Sequence, residues 1–219
     1  MQRFKTAVFD LDGTLLDTSE GVVSAVRGTI ERFGLKTLTD EQLMTFIGPP
    51  IQVSFQRYYG EDVDIQRLAN AFREIYSGDA LFKAVPYDGI YDAFSELLEA
   101  GIYPAVATYK RQDYALRLLK AYGFDRYTDI MFGADNENRL TKSDIIRLAV
   151  EKTGAVPENT VMIGDTDNDA KGAAEIGAAF VGVTYGFGFK SPVDVDKYPN
   201  IGAAANTEEL TRLIIGEKK

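Results

Sequence analysis

Hydrophobic and polar residues alternate in two different rhythms along this chain. Thr6-Ala7-Val8-Phe9 is a short apolar run that stops at a charged, glycine-bearing turn, Asp10-Leu11-Asp12-Gly13-Thr14. That is the pattern of a buried strand emptying into a loop. From Glu20 to Phe33 the spacing becomes helical, with Val22, Val23, Val26, Ile30 and Phe33 on one face, Ser19 placed as N-cap and Gly34 as C-cap. Thr39 and Gln42 make a capping-box pair ahead of a second helix, which Gly48-Pro49-Pro50 ends. Ile51–Tyr59 and Ile65–Tyr76 read as two further helices, and no strand pattern interrupts this run.

From Val85 onward strands and helices alternate. Ile90–Ala100 predicts a helix closed by Gly101, Tyr103–Ala107 a strand, and Arg111–Tyr122 a helix closed by Gly123. Asp129–Phe132 follows as a short strand, Ser143–Thr153 as a helix and Thr160–Ile163 as a strand. Ala170–Ile176 is a helix closed by Gly177, Ala179–Val183 a strand and Thr207–Ile215 a last helix, with the tail Glu217-Lys218-Lys219 expected to fray. Such alternation predicts an α/β fold, a doubly wound parallel sheet covered on both faces. The first strand joins that sheet. The expected division is a core of residues 1–16 and 85–219, with residues 17–84 inserted as a small α-helical domain.

Composition narrows the chemistry. The 219 residues include no cysteine and no histidine. That excludes disulfides, thiolate or imidazole metal sites, cysteine nucleophiles and Ser-His-Asp triads. Carboxylates, lysine, hydroxyls and backbone dipoles remain, and these suit a hard, oxygen-ligated cation. The net charge is −9, from 24 basic and 33 acidic residues. Without clustered Lys or Arg, no nucleic-acid partner is expected. No stretch approaches the ~20 apolar residues of a membrane span, and the apolar run ending at Asp10 is too short for a signal peptide, so a cytoplasmic location is the expectation.

Ligands of an open parallel sheet bind beyond the carboxyl ends of its strands. Asp10 and Asp12 follow the first strand; Thr108, Tyr109 and Lys110 follow Tyr103–Ala107. Lys142 stands at the start of a helix, and Gly164-Asp165-Thr166-Asp167-Asn168-Asp169 follows Thr160–Ile163. Singly, each is ordinary: aspartates suit turns, Thr108 a cap, Lys142 a solvated surface, and Asp165–Asp169 a helix N-terminus. Together, at one edge and in this order, they point to a shared site. Crowded carboxylates repel unless a divalent cation joins them, and Mg²⁺ takes one or two carboxylates, waters and a substrate phosphate. Phosphoryl transfer fits this set. A carboxylate can attack phosphorus, while Lys142 and Thr108 hold the equatorial charge.

Asp10-Leu11-Asp12-Gly13-Thr14, Thr108, Lys142 and Gly164-Asp165-Thr166-Asp167-Asn168-Asp169 resemble the four motifs of the haloacid dehalogenase superfamily of phosphohydrolases. The likeness spans almost the whole chain. The helical insert is similar to the small α-helical cap of the phosphoglycolate phosphatase and β-phosphoglucomutase branch. Phe46-Ile47-Gly48-Pro49-Pro50 with Ser54-Phe55, and the loop Tyr185-Gly186-Phe187-Gly188, look closest to its phosphoglycolate-phosphatase-like members. The chain departs from many relatives in having Ser143 after Lys142 and Tyr109 after Thr108.

The resemblance implies Asp10 as the nucleophile and Asp12 as the general acid and base. Thr108, Tyr109 and Lys142 would bind the transferring phosphoryl group. Asp10, the carbonyl of Asp12, and Asp165 would hold Mg²⁺, and Asp169 would orient metal-bound water or Lys142. Asp167 has no expected role and is read as exposed. The implied activity is a Mg²⁺-dependent phosphomonoesterase of small phosphorylated metabolites, working as a monomer or weak homodimer. A 5′-nucleotidase, a pyrophosphatase or a phosphomutase shares these motifs, and a non-catalytic binding module is the reading from a different class.

Overall fold

Two segments far apart in sequence build the sheet that carries the predicted site residues. The computed structural model describes residues 3–60, 63–137 and 139–216, so the tail Glu217-Lys218-Lys219 lies outside the described residues. One unit runs to Leu16 and resumes at Pro86; the other is Asp17–Val85. The elements in chain order begin with β1 (Thr6–Phe9), β2 (Leu16–Asp17), α1 (Ser19–Arg32), α2 (Asp40–Met44), α3 (Ile51–Tyr59) and α4 (Ile65–Tyr76). Then come β3 (Val85–Pro86), α5 (Ile90–Glu99), β4 (Tyr103–Arg111), α6 (Gln112–Ala121), β5 (Met131–Ala134) and α7 (Lys142–Thr153). The chain continues with β6 (Thr160–Gly164), α8 (Asp167–Ile176), β7 (Ala179–Val183), α9 (Pro192–Val195), β8 (Ala203–Ala204) and α10 (Thr207–Ile215).

The first unit is an α/β fold around a six-stranded sheet in the order β5-β4-β1-β6-β7-β8, whose ladders are parallel. Phe9 lies opposite Val106 of β4 and Ile163 of β6. Both sheet faces are covered, which is why these strands are continuous apolar runs rather than alternating ones. On one face Val8, Ala105 and Met162 pack with Ile145, Ile146, Ala149, Ala170 and Ala173 of α7 and α8. Phe9 points the other way, its ring 4.7 Å from that of Phe94 on α5. Strand order reverses between β1 and β6, so their carboxyl ends flank the switch point where open α/β sheets bind ligands.

The second unit is helical. Phe55 is fully buried, with its ring 5.2 Å from Phe46 and 6.5 Å from Phe72. Thr39 and Gln42 exchange the two bonds of a capping box, which starts α2 at Asp40. The chain passes from the first unit to the second within β2 and returns within β3, and these two strands pair with each other.

Several boundaries differ from the pattern reading. Ser19 is the first residue of α1 rather than its cap; the Asp17 carboxylate accepts its N–H at 2.9 Å. β4 does not stop at Ala107. It continues to Arg111 across a register irregularity against β5. α8 starts at Asp167 rather than Ala170, because Thr166 and Asp169 close its first turn. β5 begins at Met131, and the short α9 and β8 carry too few residues for a periodicity.

Candidate active site

Asp10 extends β1 by one more ladder bond, its N–H donating to Ile163 O at 2.9 Å. After it the chain must turn sharply. Leu11 O accepts from Leu15 N at 2.9 Å, and Gly13 adopts φ +82°, where a side chain is strained and a Cβ would collide with the Asp165 carboxylate. Asp10 and Asp165 are thus brought together by backbone constraints on two neighbouring strands.

Lys142 joins them. As the first residue of α7 it is delivered by the Thr141–Asp144 capping box, and its N–H donates to the Tyr109 hydroxyl at 2.8 Å. Its ammonium is 2.5 Å from Asp10 Oδ1 and 2.7 Å from Asp169 Oδ1, with only 4% of the side chain exposed. Asp169 is anchored on its other oxygen, where Thr166 N and Thr166 Oγ1 donate at 3.0 and 2.6 Å. Asp165 Oδ2 accepts from the N–H groups of Phe187 and Gly188 at 2.7 and 3.0 Å. That loop is held close by Phe189 N, which donates to Asp165 O at 2.7 Å.

The expected residues do not all meet at one point. Carboxylate oxygens of Asp10, Asp165 and Asp169 lie within 4.8 Å of one another. Asp12 instead pairs with Lys110, whose Nζ is 2.9 Å from Asp12 Oδ1. Thr108 is buried and its hydroxyl accepts from Lys110 N at 3.1 Å. The Tyr109 hydroxyl is engaged by the start of α7, and the ring centroid lies 5.7 Å from the Lys142 ammonium. Asp167, half-exposed, pairs with Lys171 one helical turn on at 2.5 Å.

Burial sets the electrostatics. It pushes the Asp10 carboxyl up to about 7, against the pull of Lys142 and with the push of Asp169 and Asp12. Burial likewise raises Asp165 to about 8, helped by Asp169 and Asp10 and opposed by the Gly188 and Phe187 N–H groups. Burial alone would lower Lys142, but the charges of Asp10 and Asp169 outweigh it and hold the ammonium above its usual range.

A family model described as haloacid dehalogenase-like hydrolase matches residues 7–183. The chain belongs to the haloacid dehalogenase-like hydrolase family. A 5′-nucleotidase of Pseudomonas aeruginosa is 33% identical over 188 residues, covering 85% of each chain. A phosphoglycolate phosphatase of Agrobacterium fabrum is 32% identical, covering 83% of this chain and 81% of that protein. Among solved structures, that of a "predicted phosphatase" from Clostridium acetobutylicum superposes with a TM-score of 0.89 at 30% identity, covering 98% and 99% of the two chains. This haloacid dehalogenase-like chain is an enzyme, a phosphatase of the family's kind.

The donor set of this haloacid dehalogenase-like hydrolase fits a hard divalent cation. Asp165 Oδ1 is buried without a hydrogen-bond partner among the described residues, an expensive state for a carboxylate oxygen. Asp165 belongs to the all-oxygen triad with Asp10 and Asp169. The sequence pattern gave Lys110 no role. No local pattern marks it: β4 runs on through Arg111 across a register shift against β5, and that long-range fit brings Lys110 to Asp12.

Proposed function

We propose that this chain is a Mg²⁺-dependent phosphomonoesterase of small phosphorylated metabolites that works through a phosphorylated Asp10. The observation that carries the reading is the Lys142 ammonium 2.5 Å from Asp10 Oδ1, beside the buried triad of Asp10, Asp165 and Asp169. Lys142 favours the ionised, nucleophilic form of Asp10 against burial. It also presents positive charge where the phosphoryl oxygens would lie.

In this mechanism an Asp10 carboxylate oxygen attacks phosphorus in line. The bond from phosphorus to the leaving oxygen breaks, its electron pair stays on that oxygen, and the Asp12 carboxyl supplies the proton. Asp12, now a carboxylate, takes a proton from water as that water attacks the phosphoryl group on Asp10. Inorganic phosphate leaves and both aspartates return to their first state. Thr108 contributes a hydroxyl at the same edge, and Asp169 holds Lys142 in place. Asp10, Asp165 and the Asp12 carbonyl would hold Mg²⁺, which supplies charge neutralisation and orientation of the phosphoryl group. The helical unit Asp17–Val85 would select among substrates.

The test is turnover of a panel of phosphate monoesters by the purified chain, with Mg²⁺ and after exhaustive chelation. Rapid acid quench then traps the phosphoenzyme for mass spectrometry. Cation-dependent release of phosphate together with a phosphate mass on the peptide bearing Asp10 is expected. Undiminished turnover in chelator would overturn the metal dependence. Efficient transfer to a second sugar hydroxyl, with little free phosphate, would make the enzyme a mutase.

A further inference from the structure

Lys110 is a lysine with a buried ammonium that plays no part in the phosphoryl-transfer steps. Its side chain is 6% exposed and that of Asp12 is 9% exposed, with 2.9 Å between Nζ and Oδ1. Burying a lysine is costly unless the charge is paired in good geometry. The backbone around it is arranged to deliver that geometry.

Three features fix the end of β4. Between Ala107 and Arg111 the register against β5 shifts: those residues pair with Phe132 and Ala134, so extra residues bulge from β4. A bulge bends its strand and re-aims the side chains on it. The Thr108 hydroxyl accepts from Lys110 N at 3.1 Å and closes the bulge from within. Just past the strand end, the Gln112 amide donates to Met131 O at 3.0 Å and accepts from Gly133 N. Gly133 allows this approach, since a Cβ there would collide with Lys110 O and the Gln112 backbone. The strand end that offers Thr108 to the site therefore also aims Lys110 at Asp12.

We infer that Lys110 is the positioning residue for Asp12, holding the carboxyl that exchanges a proton with the leaving oxygen and then with water. The inference rests on the proposed role of Asp12 and adds the group through which the chain controls it. Asp12 lies past the last ladder residue of β1 and bridges Leu16, and the rotamer of its side chain is a separate choice. The Lys110 ammonium donates to Asp12 Oδ1 at 2.9 Å and selects one rotamer, leaving Oδ2 to carry the proton. The two lysines of the site thus divide the work, Lys142 serving the nucleophile and Lys110 the proton-transfer group.

Leaving-group dependence separates this role from others. Proton delivery matters for a poor leaving group and little for a good one. The parameter kcat/KM covers the steps up to departure of that group, so later hydrolysis of the phosphoenzyme does not enter. The experiment compares kcat/KM of the wild type, Lys110→Met and Lys110→Arg on phenyl phosphate and 4-nitrophenyl phosphate, with melting temperatures as the folding control. Lys110→Met is expected to lose about 10- to 100-fold on phenyl phosphate yet stay within about threefold on 4-nitrophenyl phosphate. Lys110→Arg should recover most of the phenyl phosphate rate. If Lys110→Met does not fold, Lys110→Gln carries the same comparison. Equal losses on both esters, or a loss confined to KM, would overturn the inference alone. An inactive wild type would overturn the phosphatase reading and the inference together.

Discussion

Lys142 and Asp10 meet across 132 positions of sequence, ammonium to carboxylate at 2.5 Å, with neither side chain more than a tenth exposed. Asp169 closes the arrangement from the far side of the same ammonium at 2.7 Å. One cation therefore separates two buried carboxylates, and removing it leaves them facing each other. Lys142→Met should destabilise the fold by about 3–5 kcal/mol, the usual cost of breaking a buried pair. It should also lower turnover by at least about 100-fold. Urea unfolding followed by circular dichroism, alongside phosphate release, checks both; native-like stability would contradict the account.

The two aspartates after β1 should separate kinetically. If Asp10 is the nucleophile as proposed, Asp10→Asn should drop turnover to background with no phosphate mass on the chain. With Asp12 in its proposed proton-transfer role, Asp12→Asn should drop turnover about 10²- to 10⁴-fold while phosphoenzyme still forms from an aryl phosphate. Intact-mass spectrometry distinguishes the two and detects deamidation back to aspartate.

Stability should depend on pH in a direction set by Asp10 and Asp165. Both carboxyls lie above the ordinary value of 3.8, at about 7 and about 8, because the fold buries them. Between about pH 4 and pH 8 the folded chain therefore holds protons that the unfolded chain has released, so stability falls as pH rises through that window. In chelator, the melting temperature should decline from pH 5 to pH 8. Added Mg²⁺ should raise it more at pH 8 than at pH 5, because a cation replaces the protons. A melting temperature that climbs with pH in chelator would be inconsistent with these shifts.

The loop at 186–188 should be intolerant of added volume. A Cβ at Gly186 would collide with Gly13 O and the Asp165 carboxylate. Gly186→Ala should cost about 1–3 kcal/mol by overpacking. It should also displace Asp165, so isothermal titration should show weaker Mg²⁺ binding than in the wild type. Unchanged binding would place Asp165 outside the cation site.

Much of this was legible in the sequence where local chemistry decided the outcome. The bounds of α3, α4 and α10 agree with the hydrophobic spacing, and the Thr39–Gln42 box starts α2 where the pattern places it. Gly101, Gly123 and Gly177 each end a helical run at positive φ. The alternation of strands and helices was enough to predict the parallel sheet. What was not legible depended on contacts distant in sequence. The bulge in β4 arises from its fit against β5 and Gly133, and without it Lys110 looks like one more residue of a loop. The Tyr109 hydroxyl finds Lys142 N across 33 positions, a partner no local pattern reveals. The cap at Ser19 failed for a smaller reason: Asp17 accepts the Ser19 N–H and draws that residue into the helix.

The place of β1 in the sheet also sets a timetable. β1 precedes both of its ladder partners, which begin opposite it at Tyr103 and Thr160. At about 5–20 residues per second, a ribosome needs about 8–30 s to pass from β1 to β6. During that interval the apolar strand leading to Asp10 lacks its second neighbour, while α1 to α4 can close on contacts nearer in sequence. The helical unit can thus close on its own contacts while the strand that leads to Asp10 still waits for its second neighbour.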